Sequence, residues 1–222
     1  MEKIVEELCT LHGTLIEVKK NTTLLDKEID GQQSYVYYLL DGICALTGYS
    51  VKGQEVVLLY QTAGNMIGIN PYVSGTNSGF YSYHGPKVMA RTHCRLYQIP
   101  SSVFQHYLET SLEFNHYIVH LLSHNYHRTL AHFKQIQEEE SVTVVCRFLL
   151  SMCIQTADGL VLPRFFTHDE LSKYLGVHLV TVSRILSQLL KNGYVQRISD
   201  GLLLTDVSAL QHIVDHCETF QY

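Results

Sequence analysis

The chain of 222 residues is long enough for two modest domains, each able to bury a core of its own. Its content of 46% hydrophobic and 17% charged residues is that of a globular protein, and no stretch approaches the roughly 20 apolar residues that span a bilayer. A formal net charge of -5 argues against strong indiscriminate attraction to a polyanion, so any nucleic-acid binding must rest on a few placed groups.

The opening residues, MEKIVEELCTLHG, are acidic and amphipathic rather than a basic-then-apolar signal, as expected of a cytoplasmic protein. From residue 15 to 99, short β-prone runs follow one another at 15–18, 22–25, 35–40, 44–49, 56–60, 80–83, 87–90 and 95–99. Asp30-Gly31, Asp41-Gly42 and Lys52-Gly53 separate several of them, and Gly64, Gly68, Gly75 and Gly79 punctuate the middle. Short strands at this spacing, with no helix between them, predict an antiparallel jelly-roll-like β-domain over residues 1–110.

After Pro100 the pattern changes. Residues 102–137 contain no glycine or proline, and apolar side chains recur at Phe114, Tyr117, Ile118, Leu121, Leu122, Leu130, Phe133 and Ile136. Residues 111–137 are expected to form one helix, roughly 40 Å long. A single apolar seam on such a helix predicts pairing with a second copy. Burial against its own β-domain is the other account. Residues 138–222 then form a separate domain.

In that domain Glu138-Glu139-Glu140 reads as a polar hinge, residues 142–154 as an apolar helix, and Asp158-Gly159 with Pro163 as a loop. Thr167, followed three residues later by Glu170, is a capping box that opens a helix at His168. Leu171, Tyr174 and Leu175 share one face of it, and Gly176 stands where the chain bends into a second helix. There Val182, Ile185, Leu186 and Leu189 recur at i, i+3, i+4 and i+7, a stripe turned toward the first helix. His178, Leu179, Val180, Thr181, Ser183, Arg184 and Ser187 occupy its first turn and free face. This is the pattern of a helix-turn-helix, whose second helix enters the DNA major groove. An ordinary helical hairpin packed inside a domain is the alternative.

Asn192-Gly193 stops the second helix, and residues 194–198 and 202–205 around Asp200-Gly201 predict a hairpin, making the motif a winged helix. Arg184 can donate two hydrogen bonds to guanine or grip a phosphate; Ser183, Thr181 and His178 can bond phosphate oxygens; Val180 suits a thymine methyl. Arg197 either reaches the DNA backbone from the wing or is a solvated edge residue. Between Pro163 and Asp200 five basic residues stand against three acidic ones, a local charge of +2.

A β-roll, one long helix and a C-terminal winged helix, in that order, resemble the CRP/FNR family of bacterial transcription regulators over nearly the whole chain. The motifs that carry the resemblance are Tyr38-Leu-Leu-Asp-Gly42, Lys52-Gly53, Gly64-Asn-Met-Ile-Gly68, Ala90-Arg-Thr92 before Ile99-Pro100 and, most specific, Gly176-Val-x-x-x-Thr181-Val-Ser-Arg184-Ile-Leu186. The resemblance implies a homodimer, RNA polymerase as a partner, and a small effector bound between the roll and the long helix that reorients the DNA-binding domains. Gly68-Ile69 and His84-Gly85 stand where the family's cyclic-nucleotide binders have Gly-Glu and Arg-Ser, so a cyclic nucleotide is not expected. An iron-sulfur cluster is not expected either, because Cys9 lacks the N-terminal cysteine neighbours such members need. Val180 replaces the usual glutamate near the start of the recognition helix, which removes an acceptor for cytosine and points to A·T-rich half-sites.

Val177-His-Leu-Val-Thr-Val-Ser-Arg184, with Thr219-Phe-Gln-Tyr222 at the end, looks most like the subgroup that senses halogenated phenols and activates reductive dehalogenation genes. That likeness implies a TTAAT-like inverted repeat and an aromatic effector. Eight of the fifteen tyrosines lie between Tyr35 and Tyr83, suited to an aromatic pocket or to plain packing. The effector-contacting candidates are Tyr72, Tyr83, His84 and Lys87 from the roll and His124, Asn125 and Arg128 from the helix. Lys87 is either the partner of a phenolate or a surface lysine.

Other signals compete with these. His116, His120, His124 and His127, at i, i+4, i+8 and i+11, can bring imidazoles to one side of a helix for a metal, or form a polar flank of it. His84, His93 and Cys94 are the candidate haem ligands. The cysteines at 9, 44, 94, 146, 153 and 217 include no C-x-x-C pair, which argues against a zinc site, a thioredoxin-like motif or a disulfide scaffold. A redox-sensing regulator in which Cys9 and Cys217 pair on oxidation is the rival reading. No H-E-x-x-H, G-x-S-x-G or Walker sequence is present, and the roll lacks the clustered histidines of a cupin-like enzyme. No catalytic residue, resident cofactor or metal is assigned.

Overall fold

The structure is a computed structural model that describes residues 2–26, 34–49, 53, 55–73 and 87–216. The chain divides into two compact units, Met1–His127 and Arg128–Tyr222, and the division falls inside one long helix.

The first unit opens with helix α1 (Lys3–His12), followed by strands β1 (Thr14–Val18), β2 (Thr23–Asp26), β3 (Tyr35–Asp41), β4 (Cys44–Tyr49), β5 (Glu55–Gln61) and β6 (Met66–Ile67). The short helix α2 (Asn70–Val73), strands β7 (Lys87–Ala90) and β8 (Cys94–Pro100) and helix α3 (Ser101–Thr110) lead to the long helix α4 (Leu112–Glu138). The strands form two antiparallel sheets, ordered β1-β8-β3-β6 and β2-β7-β4-β5. The expected strand at 80–83, the Asp30-Gly31 turn, Lys52, Gly75 and Gly79 lie outside the described residues.

Strand β3 shows how the layers stack. Side chains alternate across a strand. Tyr37 and Leu39 enter the core between the sheets, with Leu24, Cys44, Ile67, Val88, Ala90, Cys94 and Leu96. Val36 and Tyr38 face the other way, into a core shared with Val5, Leu8 and Cys9 of α1, Phe104 of α3 and Phe114, Tyr117, Ile118 and Leu121 of α4. Strand β8 repeats the alternation, with Cys94 and Leu96 on one side and Tyr97 and Ile99 on the other. The sheet containing β3 and β8 is therefore covered on both faces, which is why β3 is apolar without interruption from Tyr35 to Leu40.

Helices α3 and α4 are separate although neither glycine nor proline parts them. Ser111 adopts extended backbone, and its Oγ accepts from Phe114 N–H at 3.2 Å, a local cap that starts a new helix. Asn115 Nδ2 ties the break by donating to Leu108 O at 2.7 Å and Ser111 O at 3.0 Å.

The apolar seam read from the sequence of α4 is two faces, not one. Phe114, Tyr117, Ile118 and Leu121 are buried in the core of their own unit. A different line, Leu112, Val119, Tyr126 and Phe133, recurs every seven residues and stays 72, 65, 62 and 58% exposed. Leu130 and Ile136 flank it, also exposed.

The second unit continues with α5 (Ser141–Met152), β9 (Ile154–Thr156), β10 (Gly159–Pro163), α6 (His168–Leu175), α7 (Leu179–Lys191), β11 (Val195–Ile198), β12 (Gly201–Leu204) and α8 (Val207–His216). Its strands form one antiparallel sheet ordered β11-β12-β10-β9. The segment expected to be a loop around Asp158-Gly159 is thus a hairpin that widens the wing, with Val161 opposite Leu203 and Leu162 opposite Leu202. Helix α5 ends two residues earlier than expected, because Cys153 turns to extended backbone and Ile154 enters the sheet. Glu139 is more than a polar hinge: its carboxylate takes Arg147 of α5 in a two-pronged pair at 2.8 and 3.1 Å. Val145, Cys146 and Leu149 of α5, Leu171 and Leu175 of α6, Val182, Ile185, Leu186 and Leu189 of α7, and Leu210, Ile213 and Val214 of α8 are all buried. No helix among the described residues is long and apolar enough to cross a membrane.

Candidate nucleic-acid interface

Helix α6 begins where Thr167 Oγ1 accepts the Glu170 N–H at 3.2 Å, while the Thr167 N–H donates to Phe165 O at 2.8 Å. It ends at Gly176, which lies in the left-handed region (φ +66°) and donates its N–H to Ser172 O at 3.1 Å. A side chain is strained in that conformation, so glycine fixes the sharp turn between the helices. His178 then caps α7: its Nδ1 accepts the Val180 N–H at 3.3 Å. Acceptance at Nδ1 leaves Nε2–H as the donor of a neutral ring. His178 therefore serves the helix start and keeps one hydrogen bond for a ligand.

The buried stripe Val182, Ile185, Leu186 and Leu189 fixes the rotation of α7. The opposite face opens onto a concavity of ≈ 1250 Å³ lined by Leu179, Val180, Ser183, Arg184 and Ser187, together with Gln188, Lys191, Arg164, Thr167, His168 and Asp169. Five of the α7 residues predicted from sequence therefore share one surface. His178 and Thr181 stand in the same first turn but do not line it. Arg197 lies instead in an adjoining hollow of ≈ 490 Å³ with His168, Ile198 and Gly201. Sequence reasoning missed Lys191, although 180, 184, 187 and 191 follow helical spacing. It also missed Arg164, which no local pattern connects to α7.

Charge on this surface is mixed but favours an anion. Arg164, Arg184 and Lys191 face the concavity, and its one acidic residue, Asp169, is held by Lys173 at 2.9 Å. Burial lowers the His168 pKa, and the neighbouring Arg197 guanidinium adds to the effect.

Behind the motif, His132 of α4 stacks on Tyr174 of α6 with ring centroids 4.1 Å apart and donates Nε2–H to Tyr174 O at 3.1 Å. That carbonyl is one of the last in α6, where helix carbonyls lack partners of their own. Burial lowers the His132 pKa against the opposing pull of this bond.

The other candidates are dispersed. Tyr72 of α2 packs against Phe104 at 5.9 Å, within the core under the helices. Lys87 is engaged by Asp26 across the β2–β7 pair at 3.2 Å. Tyr83 and His84 lie outside the described residues. On α4, His124 is exposed, and Asn125 and Arg128 are half-buried. Several of the clustered tyrosines are packing residues: Tyr37, Tyr38 and Tyr60 are buried, and burial raises the Tyr38 and Tyr117 pKa values.

Of the two redox candidates, only Cys9 falls among the described residues. The side chain is fully buried and burial pushes its pKa up to about 12, so it holds almost no thiolate; Cys217 lies outside the described residues. His93 is at the surface facing Glu17 at 3.4 Å, whereas Cys94 is enclosed in the roll. His116, His120, His124 and His127 are all exposed, and among the described residues no group of three or more His, Cys, Asp or Glu could hold a metal.

Residues 145–213 match the Crp-like helix-turn-helix domain. The match covers α6 and α7 and the four strands β9 to β12 in full. No curated protein matches the chain. Among solved structures it is similar to FixK2 from Bradyrhizobium japonicum, at 17% identity with a TM-score of 0.73 over 96% of this chain and 100% of that one. It is similar also to TTHB099, a CRP-family transcriptional regulator from Thermus thermophilus, at 16% identity and a TM-score of 0.72 over 90% and 96%. A third likeness is to OCPA-complexed CprK, at 14% identity and a TM-score of 0.59 over 96% and 94%. At these identities the likeness concerns the fold, an antiparallel roll and long helix followed by a Crp-like helix-turn-helix.

Proposed function

We propose that this chain is a homodimeric, sequence-specific DNA-binding transcription regulator of the CRP/FNR type, controlled by a small effector. The observation that carries the reading is the free face of α7, which presents Val180, Ser183, Arg184 and Ser187 beside Arg164 and Lys191 while its other face is locked into the domain. Such a surface combines apolar and hydrogen-bonding groups for base edges with cations for phosphates. His178 and Thr181 contact the backbone from the first turn, and Leu179 fills the groove wall. Arg197 meets phosphate from the wing.

The exposed heptad line of α4 supports pairing with a second copy, because four apolar side chains at seven-residue intervals supply one of the two positions that line a coiled-coil seam. Two recognition helices then read half-sites one helical turn apart. With Val180 in place of an acidic reader, those half-sites are A·T-rich and TTAAT-like, arranged as an inverted repeat. In this reading residues 1–110 hold the effector, 111–137 pair the protomers and 138–222 bind DNA in the cytoplasm, with RNA polymerase as a partner. The effector is a small aromatic, with halogenated phenols the class to test first. A melting-temperature screen of halophenols against cyclic nucleotides tests it, since a ligand favouring the native state raises the melting point.

Selection of binding sites from random duplexes tests the DNA reading. The expected product is a palindrome, and Arg184→Ala should bind it with a loss of about 1–3 kcal/mol at fixed salt. Failure to select any motif, or unchanged affinity in the variant, removes α7 or Arg184 from the readout.

A further inference from the structure

Cys44 and Cys94 are 50 positions apart in the chain, yet their sulfurs stand 3.8 Å apart in the core of the roll. Strand β4 carries one and β8 the other, so the contact joins the two sheets. Gly42 permits the approach: a Cβ there would lie 2.6 Å from Cys94 Sγ and 2.5 Å from His93 O. Thr92 Oγ1 is 3.7 Å from Cys94 Sγ and accepts the Ile43 N–H at 2.9 Å, closing the bend over the pair.

The two thiols are not equivalent. The hydrogen bond the sulfurs share, which either can donate, lowers the Cys94 pKa against the opposing effect of burial, and the same bond together with burial raises that of Cys44. Cys9, Cys146 and Cys153 differ, each pushed up to about 12 by burial. Thiolate is the form that oxidants attack.

We propose that Cys44 and Cys94 are a peroxide-oxidisable dithiol whose disulfide clamps the two sheets of the roll together. The sulfurs must close by about 1.8 Å to reach the length of a disulfide bond. Cys94 thiolate attacks one oxygen of hydrogen peroxide; the O–O bond breaks, giving a sulfenic acid and a hydroxide that takes the Cys44 proton. Cys44 thiolate then attacks the Cys94 sulfur, the S–O bond breaks, and the departing hydroxide is protonated from solvent by the proton Cys94 first released. Two thiols and one peroxide become one disulfide and two waters, with two electrons passing from sulfur to oxygen. Both cysteines are fully buried, so the oxidation requires a local opening of the roll that admits peroxide.

The test uses the full chain and no DNA, so its outcome is separate from that of the regulator reading. Native protein is treated with hydrogen peroxide, quenched, denatured, alkylated and mapped by peptide mass spectrometry. The expected product is a crosslink between the Cys44 and Cys94 peptides that dithiothreitol reverses, with a raised melting temperature because the closed loop restricts the unfolded chain. Cys94→Ser and Cys44→Ala should each abolish the crosslink and the melting shift. The wild-type peptide map decides the matter whether or not those variants fold. Full alkylation of both residues after a peroxide dose that oxidises the half-buried Met89 and Met152 overturns the proposal, as does Cys94 sulfinic acid without crosslink.

Discussion

Replacing Phe133 with glutamine probes the pairing of two chains while disturbing little else. Phe133 is 58% exposed, on the order of 115 Å² when scaled to a side chain of about 200 Å². Covering that area is worth roughly 3 kcal/mol per protomer at about 25 cal/mol per Å². A two-fold interface contains the residue twice, so the full loss approaches about 6 kcal/mol. Incomplete cover, taken as half, leaves about 3 kcal/mol, or roughly a 150-fold weaker dimer. Glutamine is a good helix former, so Phe133→Gln should keep the wild-type far-UV circular dichroism. Sedimentation velocity over a concentration series reads the result. The variant should dissociate at concentrations where the wild type remains a dimer, and its hold on an inverted repeat should weaken as the two half-sites bind independently. A wild type that is monomeric at tens of micromolar, or a variant that dimerises as tightly, would refute the assignment of this face.

Three further outcomes follow from the second unit. Val180→Glu should move the selected half-site toward cytosine at the contacted position, because a carboxylate accepts from the cytosine amino group; an unaltered motif excludes Val180 from base contact. Thr167→Ala removes the acceptor for the Glu170 N–H and should cost about 1 kcal/mol in urea unfolding; a midpoint equal to that of the wild type would show the cap to be dispensable. His132 and His168 both have lowered pKa values, so the native state keeps them neutral while the unfolded chain protonates near the ordinary histidine value. Their contribution is therefore complete above about pH 6.5 and is lost as the pH falls through the lowered values. His132→Gln keeps a donor for Tyr174 O without the titration, and its stability should decline less between about pH 7 and 5; an identical pH profile would assign the acid sensitivity elsewhere.

The helix-turn-helix was legible because its signals are local. A cap at Thr167, a left-handed glycine at 176 and a four-residue apolar stripe all lie within a few turns of one another, and each has one inexpensive backbone solution. Helix α8 was equally legible but went unread: Asp206 accepts the Ala209 N–H at 2.8 Å, and Leu210, Ile213 and Val214 make its buried face. The β9–β10 hairpin was harder to find. Asp158-Gly159 and Pro163 are loop residues by composition, and only pairing with β12 makes their neighbours strands.

The amino-acid order by itself determined that a strand-rich first half precedes a long helix and a winged motif, since periodicity and turn chemistry operate over a few residues at a time. Tertiary structure decided which apolar line of α4 is buried and which stays exposed. A helix apolar on two sides carries no label for either. Packing likewise brought Arg164 to the α7 face and set Cys44 against Cys94, because such neighbours meet only after intervening strands have found their partners.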